Sequence, residues 1–172
     1  MLFNSKYFWA FLAMISAPLS LATGHHANHQ FDTVIHRHLT LSNFWARASI
    51  GMAPNSGGYG QILSTMDDRL ISGSSPAATI VEIHEHIHDQ GVMRMREIAG
   101  GLAIPADMPV VMTPGGYHVM LINLVTPLQV GGSIPLTLQF ERAGTVELQI
   151  PIKGIMPNHG NTTPGGIKGH GH

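Results

Sequence analysis

The sequence predicts an all-β chain, a single antiparallel β-sandwich or barrel. Three observations predict it. Turn signals break the chain roughly every 8–12 residues between Leu39 and Ile152. The apolar runs between them are short. The 172 residues include 20 Gly and 11 Pro, a composition that favours strands and turns over long helices. No internal repeat or amphipathic helix stands out, and the length suits one domain with its own hydrophobic core.

The elements follow in order. Leu39-Thr40-Leu41 and Phe44 to Ala48 read as strand material. Ala53-Pro54-Asn55-Ser56-Gly57-Gly58 is a loop by composition. Tyr59 to Met66 is the next strand, Asp67-Asp68 a turn, and Arg69 to Gly73 a short strand. Ala78 to His88 and Val92 to Ile98, separated by Asp89-Gln90-Gly91, suit a β-hairpin with a Gly-containing loop. Ile104 to Asp107 is a turn, Val110 to Met112 a strand, and Thr113-Pro114-Gly115-Gly116 a strong turn signal. Tyr117 to Leu124, Ile134 to Glu141 and Thr145 to Ile152 complete the strands.

The flanks differ from this body. Lys6, the apolar run Tyr7 to Ile15 and the small residues around Ser20-Leu21-Ala22 read as an export signal over 1–22. The apolar run is shorter than a membrane span requires, so cleavage is expected to leave no stable membrane insertion. Residues 23–38 carry five His and read as an arm. The sandwich is assigned to 39–153. Residues 154–172 are rich in Gly, Pro and His, with too little apolar surface to offset their ordering entropy. The mature protein is expected outside the cytoplasm.

Composition narrows the chemistry. There are 12 His, 10 Met and no Cys. Imidazole and thioether ligands are plentiful, whereas thiolate zinc sites, Cys-ligated clusters, thiol nucleophiles and blue-copper electron carriers are excluded. A net charge of −1 with His neutral gives no electrostatic footprint for nucleic acid. No acid/base pair or Ser/His/Asp arrangement points to an enzyme.

The hairpin is the most informative stretch. Strand side chains alternate faces, so His84, His86 and His88 share one face of their strand, and Met93 and Met95 share one face of theirs. With Asp89 to Val92 as the loop, His88 falls opposite Met93, His86 opposite Met95, and His84 diagonal to Met95. Directly opposed Cβ atoms lie roughly 5 Å apart. A second element, His118-Val119-Met120, sets an imidazole and a thioether on one strand face. Taken singly, each Met is ordinary core filler and each His a rim residue. A core face does not normally combine three His with two Met. Thioether sulfur favours Cu(I) and, unlike a thiol, forms no disulfide in an oxidising compartment.

At these residues the sequence resembles the periplasmic copper chaperone family associated with the CuA centre of cytochrome oxidase. The likeness runs from about Trp45 to Ile152. It includes Ala77 to Glu85, Gly91 to Arg96, Ile104-Pro105-Ala106, Pro114 to Leu121 and Leu136 to Glu141. The family motif is a His, a Met and a His-x-Met at fixed intervals. Here His84 and Met95 are separated by ten residues, and 22 more precede His118-Val119-Met120. The second interval is one longer than the family's, and the loop around Asp107 is the expected place for the extra residue. The early strand Tyr59-Gly60-Gln61-Ile62 is a looser match, and His86 and His88 add imidazoles beside His84.

The resemblance implies a cupredoxin-like β-sandwich with His84, Met95, His118 and Met120 as copper ligands. It implies delivery of Cu(I) to an acceptor protein such as a cytochrome oxidase subunit. The alternative is a periplasmic copper sequestration or resistance protein that buffers metal through its His-rich ends. Those ends are expected to take Cu(II). Met156, His159, His170 and His172 supply ligands in the tail. Cleavage after Ala22 would present Thr23-Gly24-His25, a square-planar nitrogen site.

Overall fold

The computed structural model describes residues 33–89 and 91–154. The segment read as an export signal, most of the His-rich arm and nearly all of the tail lie outside these described residues. Within them the chain forms 11 strands and no helix. These are β1 (Val34–His36), β2 (Leu39–Arg47), β3 (Ser56–Ser64), β4 (Asp68–Ser74), β5 (Ala78–Asp89) and β6 (Val92–Glu97). They continue with β7 (Leu102–Ile104), β8 (Val110–Met112), β9 (His118–Leu124), β10 (Ser133–Phe140) and β11 (Gly144–Lys153).

The hydrogen-bonded order is β6-β5-β9-β3-β2-β11-β10-β4-β7, with β1 on β2 and β8 on β3. This path folds into two layers. One holds β6, β5, β9, β3 and β2; the other holds β10, β4 and β7. β11 belongs to both. Its Gly144–Pro151 stretch runs antiparallel to β10, and its last residues, Ile152 and Lys153, run parallel to Ala46 and Arg47 of β2. The pairings between named strands are therefore antiparallel except at this seam. β4 faces β5 across the layers so closely that a Cβ on Gly73 would stand 2.9 Å from Val81 Cγ1.

Alternation fills the space between the layers. Ile134, Leu136, Leu138 and Phe140 of β10 and Val146, Leu148, Ile150 and Ile152 of β11 all point inward and are buried. On β2 the inward set changes parity, from Leu39 and Leu41 to Phe44 and Ala46. A register shift between Ser42 and Trp45, with Asn43 at φ 56°, supplies the extra residue. Such a bulge moves every later side chain to the other face. It turns Phe44 inward and Trp45 outward.

Four sequence expectations are corrected. The arm does not extend to residue 38: β1 pairs with β2, His36 Nε2 lies 3.1 Å from the Ala143 carbonyl, and His38 bonds Asp68. Ser56-Gly57-Gly58 is not loop but the start of β3, because its glycines make room for neighbouring side chains. The hairpin ladder runs out to Asp89↔Val92, so the turn is tighter than four residues, while the opposed pairs stand as read. Leu102–Ile104 forms β7 against β4, a strand too short to register as an apolar run.

Asp68, read only as a turn residue, is buried at the start of β4. Its carboxylate accepts the backbone N–H of Arg69 (2.7 Å), Arg142 (2.9 Å) and Ala143 (3.0 Å) and meets His38 Nε2 at 2.8 Å. One side chain thus ties the β1–β2 corner, β4 and the β10–β11 turn. Burial alone would raise its pKa. The three backbone donors and His38 outweigh that and hold it below the ordinary aspartate value.

Candidate metal centre

Strands β6, β5 and β9 are consecutive neighbours, and their registers bring the candidate ligands onto one outer face. β5 pairs with β9 at His84↔His118 and Glu82↔Met120. β5 pairs with β6 at His86↔Met95 and His88↔Met93. The intervening Ile83, Val119 and Leu121 are buried in the core. Core packing on one face therefore fixes the ligands on the other.

His118 is the centre of the group. It follows the Thr113–Gly116 turn, where Gly115 has φ 86°. His118 is only 3% exposed, although it lies on the outer face, because neighbouring side chains cover it. The His84 ring centroid is 5.7 Å away, that of His86 5.1 Å and that of Tyr59 6.4 Å. Burial pushes the His118 pKa below the ordinary histidine value; the Gly116 carbonyl pulls it up, and His86, His84 and Arg47 add to the lowering. The net lowering favours the neutral ring.

Its tautomer follows from geometry. His118 Nδ1 lies 3.0 Å from the Gly116 carbonyl oxygen, which can only accept, so Nδ1 carries the proton and Nε2 presents a lone pair. That lone pair meets Met95 Sδ at 2.9 Å. A thioether has no proton to give. Two electron-pair donors therefore lie side by side, an arrangement that a soft cation bound to both would satisfy.

His84 offers a second opening. Its Nε2 lies 2.8 Å from Glu82 Oε2, and its buried Nδ1 has no hydrogen-bond partner. An unpaired buried nitrogen costs free energy. A carboxylate on the far ring nitrogen is what orients and strengthens a metal-binding imidazole. Met120 is placed by register, opposite Glu82 and Gly57, on the face of His118. The structure thus groups His84 and Met95 around His118 and sets Met120 on the same strand face by register.

The wall beyond His118 is aromatic. Tyr59 is buried and packs against Trp45 in a tilted ring contact, centroids 4.8 Å apart; Lys153 Nζ caps the Trp45 ring at 5.8 Å. A Cβ on Gly57 would stand 2.5 Å from the Tyr59 hydroxyl, so this glycine gives the ring its place. Burial raises the Tyr59 pKa, with Arg47 opposing.

Sequence reasoning missed Glu82, Tyr59 and the Gly116 carbonyl. Glu82 shares the face of His84 two residues on, and that alternation was the available signal. Among the described residues no three His, Asp or Glu side chains converge on a metal position. The candidate donor set therefore includes thioethers, ligands that suit Cu(I) better than zinc.

A family model described as putative lipoprotein, LpqE-like, matches residues 39–152. The chain belongs to this LpqE-like family. A putative lipoprotein of Leifsonia xyli subsp. xyli is 31% identical over 116 residues, covering 66% of this chain and 68% of that protein. An uncharacterized protein of Rickettsia prowazekii is 31% identical over 102 residues, 56% of each chain. Among solved structures, the LpqE-like chain resembles the copper-bound PCuAC domain from PmoF2, with TM-score 0.60, 23% identity, and 72% and 98% of the two chains covered. It also resembles the Cu(I) form of DR1885 from Deinococcus radiodurans, with TM-score 0.56, 23% identity, and 74% and 83% covered. At these identities the likeness establishes the fold. The LpqE-like chain is an all-β, cupredoxin-like sandwich.

Proposed function

We propose that this LpqE-like chain is an exported copper carrier. It holds one Cu(I) with His84, Met95, His118 and Met120 and delivers it to an acceptor protein such as the CuA-bearing subunit of cytochrome oxidase. One observation carries the reading: the neutral His118 presents its Nε2 lone pair to Met95 Sδ at 2.9 Å, with the unpartnered Nδ1 of His84 in the same cluster. The copper-bound PCuAC domain of like fold supports it, as does the family's description as lipoproteins, which fits export. His118 and His84 supply nitrogen ligands, Glu82 steadies His84, and the thioethers set the preference for Cu(I) over Cu(II).

The test is a Cu(I) competition titration with X-ray absorption of the one-equivalent complex. Nitrogen and sulfur scatterers are expected together, and Met120→Leu should lower both the sulfur count and the affinity. A site without sulfur would overturn the reading. A carrier also yields its single tight Cu(I) to an apo CuA fragment. A sequestration protein would bind several ions through its ends and show no acceptor preference.

A further inference from the structure

We propose that His86 is itself a copper ligand, forming with His118 and Met95 a Cu(I) position at the solvent-facing lip of the site. The inference rests on the copper reading above and extends it to a residue outside the four-residue motif.

Three relations support it. First, His86 stands directly opposite Met95 on the hairpin, and its ring centroid lies 5.1 Å from that of His118, nearer than the 5.7 Å of His84. Second, the Gly116 carbonyl oxygen lies 3.0 Å from His118 Nδ1 and 3.4 Å from His86 Nδ1. A carbonyl oxygen has two lone pairs and only accepts. In each neutral ring it therefore favours the tautomer with the proton on Nδ1, which would leave both Nε2 atoms as electron-pair donors. Third, the sulfur beside His118 Nε2 belongs to Met95, the cross-strand neighbour of His86.

His84 is arranged differently. Glu82 occupies its Nε2, and Nδ1 is the nitrogen left over. His84 and His86 thus commit different ring nitrogens to the protein, Nε2 to Glu82 and Nδ1 to Gly116. In this proposal His86 joins the Met95 edge of the cluster, while Met120 stands on the His84 side by register. Met95 is 47% exposed, so copper at the lip is within reach of an acceptor's ligands.

The experiment uses the full mature chain, labelled with nitrogen-15, and follows the histidine ring nitrogens before and after one equivalent of Cu(I) without oxygen. His86→Gln assigns the His86 signals. The Nε2 resonances of His86 and His118 are expected to shift together, and His86→Leu is expected to weaken Cu(I) binding on the order of tenfold with unchanged thermal melting. If His84 and His118 shift while His86 does not, the lip position is wrong and the four-residue site stands. If none of the three responds, both readings fall.

Discussion

Glu82 and His84 are two residues apart on one strand, and their side chains meet at 2.8 Å between Oε2 and Nε2. Neighbours at this spacing share a strand face, so the contact is local and needs no distant element to form it. Its effect is to commit one nitrogen of His84 to the protein and leave Nδ1 for something else.

Glu82→Gln should therefore weaken Cu(I) binding without unfolding the chain. The amide still accepts a hydrogen bond but no longer supports positive charge building on the imidazole. A loss of about 10- to 100-fold is the usual effect of such changes. A chelator competition titration at neutral pH checks it, with melting temperature as the control.

Met95→Leu separates sulfur chemistry from packing. The side chain is half exposed and the swap conserves volume, so a stability cost of less than about 1.5 kcal/mol is expected. Cu(I) affinity should fall clearly. Denaturant unfolding and copper competition on the same samples give both numbers.

Asp68 sets an acid limit on stability. Its folded pKa lies below the unfolded one, so its contribution is fully present above the unfolded aspartate pKa. That contribution is lost as the pH falls through the folded value. Asp68→Asn should cost about 1–3 kcal/mol at neutral pH, because an amide leaves some of the surrounding buried N–H groups unsatisfied. It should also flatten the decline of stability toward acid. Urea unfolding across that range tests both parts.

Gly57→Ala should disturb the aromatic wall. The added methyl meets the Tyr59 hydroxyl at 2.5 Å and Cζ at 2.8 Å, and the ring must turn away. Overpacking of this kind costs about 1–3 kcal/mol. Because Tyr59 packs against Trp45, a changed Trp fluorescence spectrum should accompany the loss.

The hairpin was the most legible part of the molecule. Alternation of His84, His86 and His88 against Met93 and Met95 requires only a period of two and a short turn, and the observed register follows it. What escaped was information that single residues do not carry. Ser56-Gly57-Gly58 has loop composition, yet a Cβ at Gly58 would touch Val119 at 3.4 Å and Tyr59 fills the space above Gly57. Those glycines are strand residues because of partners far along the chain. Likewise Asp68 gains its role from backbone groups of Arg142 and Ala143. The Gly116 carbonyl that orients two rings is main chain, invisible to any reading of side-chain types.

The position of β6 at the end of the strand order has a kinetic consequence. The strand pairs with β5 alone, and all six of its residues are exposed. The ion pairs on its other face, Arg94 with Asp89 at 3.6 Å and Arg96 with Glu85 at 2.6 Å, are of the surface kind, worth about 0–1 kcal/mol each. Peeling β6 away costs far less than opening the layers where β9 and the base of β5 are rooted. The imidazoles of His84 and His118 are thereby anchored while the sulfur of Met95 rides on a strand that lifts easily. For a carrier of the proposed kind, release of the ion would then follow fraying at this one edge and would not require the fold to open.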